Sequence, residues 1–229
     1  MTIKKIFKNT GYCILRLIVI SIVHPIFGTD IQGKENIPKK GSYILVSNHI
    51  SYLDPVAVHG VSRRQLRFFM AAEYYNDKKW KWFYDFFGCI PLEKGVINAH
   101  AINEAIIAIS NGDPFVIFPE GRISSTGRIG KWHPGIGLLA LSTGVPVIPV
   151  IVRGTADVLP MGSRKLHFRP VHVFAGKQLI FNAEKRDSFT RNEIREAAQK
   201  VRDSFIALAK EKAVYDEIVG PEAEQERVL

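Results

Sequence analysis

Five short runs rich in β-branched and aromatic residues, at 44–47, 67–70, 115–118, 147–152 and 171–174, are separated by segments with helical spacing. That alternation constrains the fold more than any other feature. Strands interleaved with helices build a sheet that the helices must cover, because each element has an apolar face to bury. The expectation is an α/β fold, a single domain with a mixed, partly parallel sheet flanked by helices. Ile102, Ala105, Ile106 and Ile109 share one helical face, closed by Asn111 and Gly112 before the next strand. A second helix opens at Thr190 with Glu193 three residues later, the capping-box spacing, and sets Ile194, Ala197, Ala198, Val201, Phe205 and Leu208 on one face. Both read as packing helices.

With 229 residues, 46% of them hydrophobic and 23% charged, the chain suits one globular domain. Its organisation reads as a membrane-interacting segment over 1–28, a domain over 29–214 and a charged tail over 215–229, where Pro221 and the charges predict fraying. Lys4, Lys5 and Lys8 precede an apolar stretch, 12–23, broken by Arg16 and Ser21 and closed by His24 and Pro25. Its charge-free run after Arg16, 17–23, is far shorter than the roughly 20 residues of a spanning helix, and an arginine at mid-depth costs about 3 kcal/mol. No small-residue cleavage site follows, which argues against a removable signal peptide. An interfacial or re-entrant helix fits, its basic end at anionic head groups; an ordinary amphipathic core helix is the alternative.

The formal net charge of +9 points to an anionic partner: a phosphate-bearing substrate, an anionic membrane surface or nucleic acid. Phe68, Phe69, Tyr74, Tyr75, Trp80 and Trp82, interleaved with Arg67, Lys78, Lys79 and Lys81, suit either a nucleic-acid surface or a lipid interface. The apolar N-terminal stretch favours lipid. Cys13 and Cys89 lie far apart in apolar surroundings, so neither a disulfide framework nor a metal site is expected, and a reducing compartment is the simpler reading.

Two polar loops follow apolar strands. In the first, Asn48-His49-Ile50-Ser51-Tyr52-Leu53-Asp54, Ser51 and Asp54 have the spacing of a helix start, with Ser51 as cap, which folds Asp54 back toward His49. A neutral imidazole is a suitable general base, and a carboxylate on its other nitrogen fixes the tautomer and stabilises the imidazolium. The bare spacing equally describes a helix-capping aspartate beside a surface histidine. In the second loop, Phe118-Pro119-Glu120-Gly121-Arg122, Gly121 permits close backbone approach to a ligand and Arg122 offers a planar fork for phosphate. If the preceding strands are parallel, both loops emerge on one rim, where sites form in α/β sheets. Arg128, Lys131 and Arg153 are further candidates for phosphate contact, and His133 reads as the start of a helix.

The order Asn48-His49-x-Ser51-x-x-Asp54, then Gly88-Cys89-Ile90-Pro91-Leu92-Glu93-Lys94, then Phe118-Pro119-Glu120-Gly121, then Val145-Pro146-Val147-Ile148-Pro149 resembles the four sequence blocks of the glycerolipid acyltransferase family. The best-known members are lysophosphatidic acid acyltransferases. The resemblance implies that His49 deprotonates the acceptor hydroxyl, that Asp54 orients His49, and that the hydroxyl attacks the thioester of acyl-CoA or acyl carrier protein. It implies no metal and no cofactor, and it implies substrate binding by Lys94, Glu120, Gly121 and Arg122. The family usually has arginine where this chain has Lys94, and Thr-Arg-Ser after Glu-Gly where this chain has Arg122-Ile123-Ser124, so the acceptor head group is open between lysophosphatidic acid and another such as lysophosphatidylethanolamine. The fourth block is expected to shape the core and the acyl path. The implied setting is the cytoplasmic face of the cell membrane, with no nucleic acid. A non-catalytic basic protein binding lipid or nucleic acid is the reading from another class.

Overall fold

A computed structural model describes residues 21, 24–92, 99–181, 188–220 and 228 of the chain. Seven strands, β1 (Asp30–Gln32), β2 (Ile44–Ser47), β3 (Arg67–Ala71), β4 (Ile90–Leu92), β5 (Phe115–Ile117), β6 (Val147–Arg153) and β7 (His172–Ala175), form a sheet in the order β1-β7-β6-β2-β5-β3-β4. β2 runs parallel to both β5 and β6, β3 runs parallel to β5 and β4, and β1 runs parallel to β7. β6 and β7 pair antiparallel, which makes the sheet mixed as expected. β1 and β4 escape detection in the sequence. Each is three residues long, too short to display a period, and β4 contains Pro91.

Strands buried on both faces read as continuous apolar runs, and β2, β5 and most of β6 do so. Ile44, Val46, Phe115, Ile117, Val147 and Ile151 point into one core. Tyr43, Leu45, Val116, Ile148, Val150 and Val152 point into the other. Pro149 sits in β6 without an N–H to donate; there its carbonyl accepts from Gly176, just beyond the end of β7, so the proline falls where the antiparallel ladder breaks. The fourth sequence block is thus core.

In chain order the helices are α1 (His24–Ile26), α2 (Asp54–His59), α3 (Ala72–Tyr75), α4 (Lys81–Phe87), α5 (Ala99–Ser110), α6 (Gly135–Thr143), α7 (Thr155–Val158), α8 (Arg191–Glu211) and α9 (Tyr215–Ile218). α5 and α8 carry the buried faces expected of them, and α8 opens with the anticipated capping box between Thr190 and Glu193. α6 begins at Gly135 rather than at His133. α6 and α8 cross so closely that a Cβ on Gly137 would run into the Ile194 carbonyl.

The tail departs from expectation. Residues 215–220 do not fray: Ile218 and Val219 are buried against the first core, and the Ile218 carbonyl accepts from Ile129 N–H at 2.7 Å. The charges of Asp216 and Glu217 mask an apolar pair that turns inward. Most of segment 1–28 lies outside the described residues, and no described helix is long and apolar enough to cross a membrane.

Candidate active site

Because β2, β5 and β6 run parallel, their carboxyl ends open on one rim. At the end of β2 the Asn48 side chain continues the ladder in place of backbone. Its Nδ2 donates to the Val152 carbonyl at 2.8 Å and its Oδ1 accepts from Val152 N–H at 2.9 Å. A primary amide presents one donor and one acceptor at peptide spacing, so the main chain can leave the sheet at His49 with no buried group unpaired.

His49 stacks on Phe118 from the end of β5, with ring centroids 4.2 Å apart. Its Nδ1 meets Asp54 Oδ2 at 2.8 Å. Asp54 has no exposed surface, and the same Oδ2 accepts from Ile50 N–H at 2.6 Å and Ser51 N–H at 2.8 Å. Oδ1 accepts from the Thr155 hydroxyl at the start of α7. Four hydrogen bonds occupy the two carboxylate oxygens in this dry setting. An ionised Asp54 can only accept, so the His49 proton belongs on Nδ1, which leaves Nε2 with its lone pair. The His49 side chain is 18% exposed, enough to meet a ligand from one edge.

The pair forms as expected but by a different local route. α2 starts at Asp54 with Leu53 in the cap position, so Ser51 is not the helix cap. The Ser51 hydroxyl instead accepts from Leu53 N–H and donates to the Leu159 carbonyl. Asp54 folds back because its carboxylate gathers the two N–H groups of the turn before it.

The second loop closes on the first. Gly121 N–H donates to the Phe118 carbonyl at 3.0 Å in a tight turn, and Gly121 has a φ of +66°, where a side chain is strained. The space beside its Cα is filled by His133, which a Cβ would approach to 3.4 Å. Gly121 therefore admits a neighbouring side chain of the protein. Glu120, 7% exposed, accepts from His49 N–H at 3.3 Å through Oε1 and from Gly130 N–H at 3.0 Å through Oε2. Glu120 thus ties the β2 loop to the segment before α6. Burial pushes its pKa up to about 7, with Asp54 adding to the rise while the two N–H groups and Arg122 oppose it.

Arg122 is exposed. Lys94 lies outside the described residues. Arg153 pairs with Glu217 at 2.7 Å, and Arg128 and Lys131 are exposed. Among the described residues no group of three or more His, Cys, Asp or Glu side chains is placed to hold a metal ion. Sequence reasoning missed Thr155, although the signal was present: Arg153-Gly154-Thr155 is a polar turn directly after a buried strand, as are the loops of His49 and Glu120.

A family profile described as acyltransferase matches residues 28–153, more than half of the chain, and includes His49, Asp54 and Glu120. The chain belongs to the acyltransferase family. A chloroplastic 1-acyl-sn-glycerol-3-phosphate acyltransferase of Brassica napus is 30% identical over 144 residues, which are 62% of this chain and 42% of the plant protein. A 1-acyl-sn-glycerol-3-phosphate acyltransferase of Streptococcus pneumoniae is 27% identical over 158 residues, covering 67% of this chain and 58% of that protein. The chain therefore spans about half the length of these curated relatives. The crystal structure of a 1-acyl-sn-glycerophosphate acyltransferase, PlsC, from Thermotoga maritima superposes with a TM-score of 0.66 at 23% identity over 92% of each chain. This family member thus shares the fold of that enzyme across nearly its whole length.

Proposed function

We propose that the protein transfers a fatty acyl group from acyl-CoA or acyl carrier protein to the free hydroxyl of lysophosphatidic acid, giving phosphatidic acid. The observation that carries this reading is the His49 imidazole, held at Nδ1 by a buried carboxylate and open at Nε2. Nε2 takes the proton from the acceptor hydroxyl as its oxygen attacks the thioester carbonyl carbon. The imidazolium formed faces Asp54, which stabilises it without moving. Collapse of the tetrahedral intermediate breaks the C–S bond, and the leaving thiolate takes the proton back from Nε2. No group other than the chain's own residues is needed for these steps.

The names of the curated relatives support a phosphate-bearing acceptor, and the net charge of +9 suits one. The basic and apolar segment before residue 28 supports seating at the cytoplasmic face of a membrane, where the lysolipid resides. Full-length wild type and His49→Ala, given labelled acyl thioester and either lysophosphatidic acid or lysophosphatidylethanolamine, test the reading. Wild type is expected to form phosphatidic acid and the variant to lose about 10²–10⁴-fold in rate. Equal transfer by both would overturn the mechanism, and product from lysophosphatidylethanolamine alone would overturn the acceptor.

A further inference from the structure

β7 and β1 run opposite to β6, so their amino ends lie at the rim where β2, β5 and β6 end. Three otherwise distant segments meet this rim. One is the junction with the N-terminal segment, Ile26 and Phe27. Another is 160–170, the connection from α7 to β7. The third is 72–82, which follows the carboxyl end of β3 and includes the first turn of α4, the helix that returns to the start of β4.

Large apolar side chains cluster on these segments and stand out in water. Phe168 is 75% exposed and Trp82 66%, with Met161, Leu166, Trp80 and Tyr74 also open. Single exposed apolar residues are ordinary, but a set concentrated around one opening marks an interaction face. Phe168 stacks on Phe27 at 5.9 Å, which makes the 160–170 loop continuous with the place where the basic and apolar N-terminal stretch joins the domain. Arg164, Lys165 and Arg169 lie between the apolar residues of that loop, which contains no Asp or Glu. On the other segment Lys79 sits over the Trp80 ring at 5.7 Å and Lys81 over Tyr75 at 4.1 Å. Aromatic rings beside lysines and arginines suit the depth at which acyl chains give way to anionic head groups.

The active-site loop lies between the two. Ser51 donates to the Leu159 carbonyl beside the 160–170 loop, and Tyr52 packs edge-on to Tyr74 with centroids 6.5 Å apart. We infer that segments 160–170 and 72–82 are two feet on which the domain stands on an anionic bilayer, with the His49 loop held between them against the lipid surface. The inference rests on the proposed function for its lysolipid, and it adds the face, the residues and the orientation. A lysophospholipid lifted from the bilayer then meets Nε2 without crossing water.

Trp80 and Trp82 are built-in reporters, and Trp132, fully buried, is an internal reference. The full chain is mixed with vesicles of phosphatidylcholine and phosphatidylglycerol whose acyl chains carry bromine, which quenches tryptophan on contact. Quenching is expected in wild type, is lost in Trp80→Phe/Trp82→Phe, and returns when Phe168→Trp is added to that pair. Replacing Arg164, Lys165 and Arg169 with Gln should weaken partition onto these vesicles on the order of 100-fold, each charge at an anionic surface contributing about five-fold. Binding with quenching at one foot or neither, or unchanged partition of the charge variant, would overturn the inference. His49→Ala separates the two readings, since it should seat and quench like wild type while its acyl transfer falls about 10²–10⁴-fold.

Discussion

Thr155→Val tests how the site is held together. The side chain is 2% exposed and its hydroxyl supplies one of the four hydrogen bonds to a carboxylate that has no contact with solvent. Valine has nearly the same shape, so the substitution opens no cavity. It removes a donor to a charged group, a loss of about 1.5–3 kcal/mol when nothing replaces it. At about 2–4 °C per kcal/mol for a chain of this size, the melting temperature should fall by roughly 3–12 °C. Thr155→Ser keeps the donor and gives up a buried methyl, at about 1 kcal/mol, so serine should lie between valine and wild type. Thermal unfolding with acyl transfer measured alongside separates packing from polarity: the transfer rate constant should drop in the valine variant and recover in the serine variant. A valine variant within about 0.5 kcal/mol of wild type would refute the claim that Oδ1 depends on this hydroxyl.

Glu120 gives a pH signature. Its folded pKa, about 7 against a reference of 4.5, means the folded state holds the proton more tightly than the unfolded chain. The associated stability is present below pH 4.5 and is lost as the pH rises through 7, to a total of about 3 kcal/mol. Glu120→Gln should flatten that part of a denaturant-measured stability profile; an unchanged slope would show that Glu120 does not titrate there. Gly137→Ala drives a methyl into the Ile194 carbonyl at the α6 and α8 crossing. It should cost about 3 kcal/mol in urea unfolding, and a neutral outcome would refute the close crossing.

The sheet was legible where strands are unbroken apolar runs buried on both faces, as in β2, β5 and β6, and invisible where polar residues or a proline interrupt three residues that entered the sheet on the strength of their neighbours, as in β1 and β4. The His49 and Asp54 pair was legible because both lie on one short loop whose turn is local. Glu120 was found but its protein partners were not: sequence shows a carboxylate after a strand, while its two N–H partners come from residues 71 and 10 positions away. Thr155 was missed for the same reason, since 101 residues separate it from the aspartate it meets. Charge misled at the tail, where Asp216 and Glu217 hid the inward turn of Ile218 and Val219.

Asp54 and Glu120 grip the protein largely through backbone N–H groups: those of Ile50 and Ser51 for one, those of His49 and Gly130 for the other. Any amino acid except proline offers such a group. Under random substitution the site should therefore drift unevenly, with His49 and the two carboxylates intolerant of replacement while Ile50, which gives Asp54 only its N–H, changes identity freely so long as the path of the chain is kept. A library built over this loop would find proline the forbidden letter at positions 50 and 51, and a shortened or lengthened loop worse than almost any exchange of residue within it.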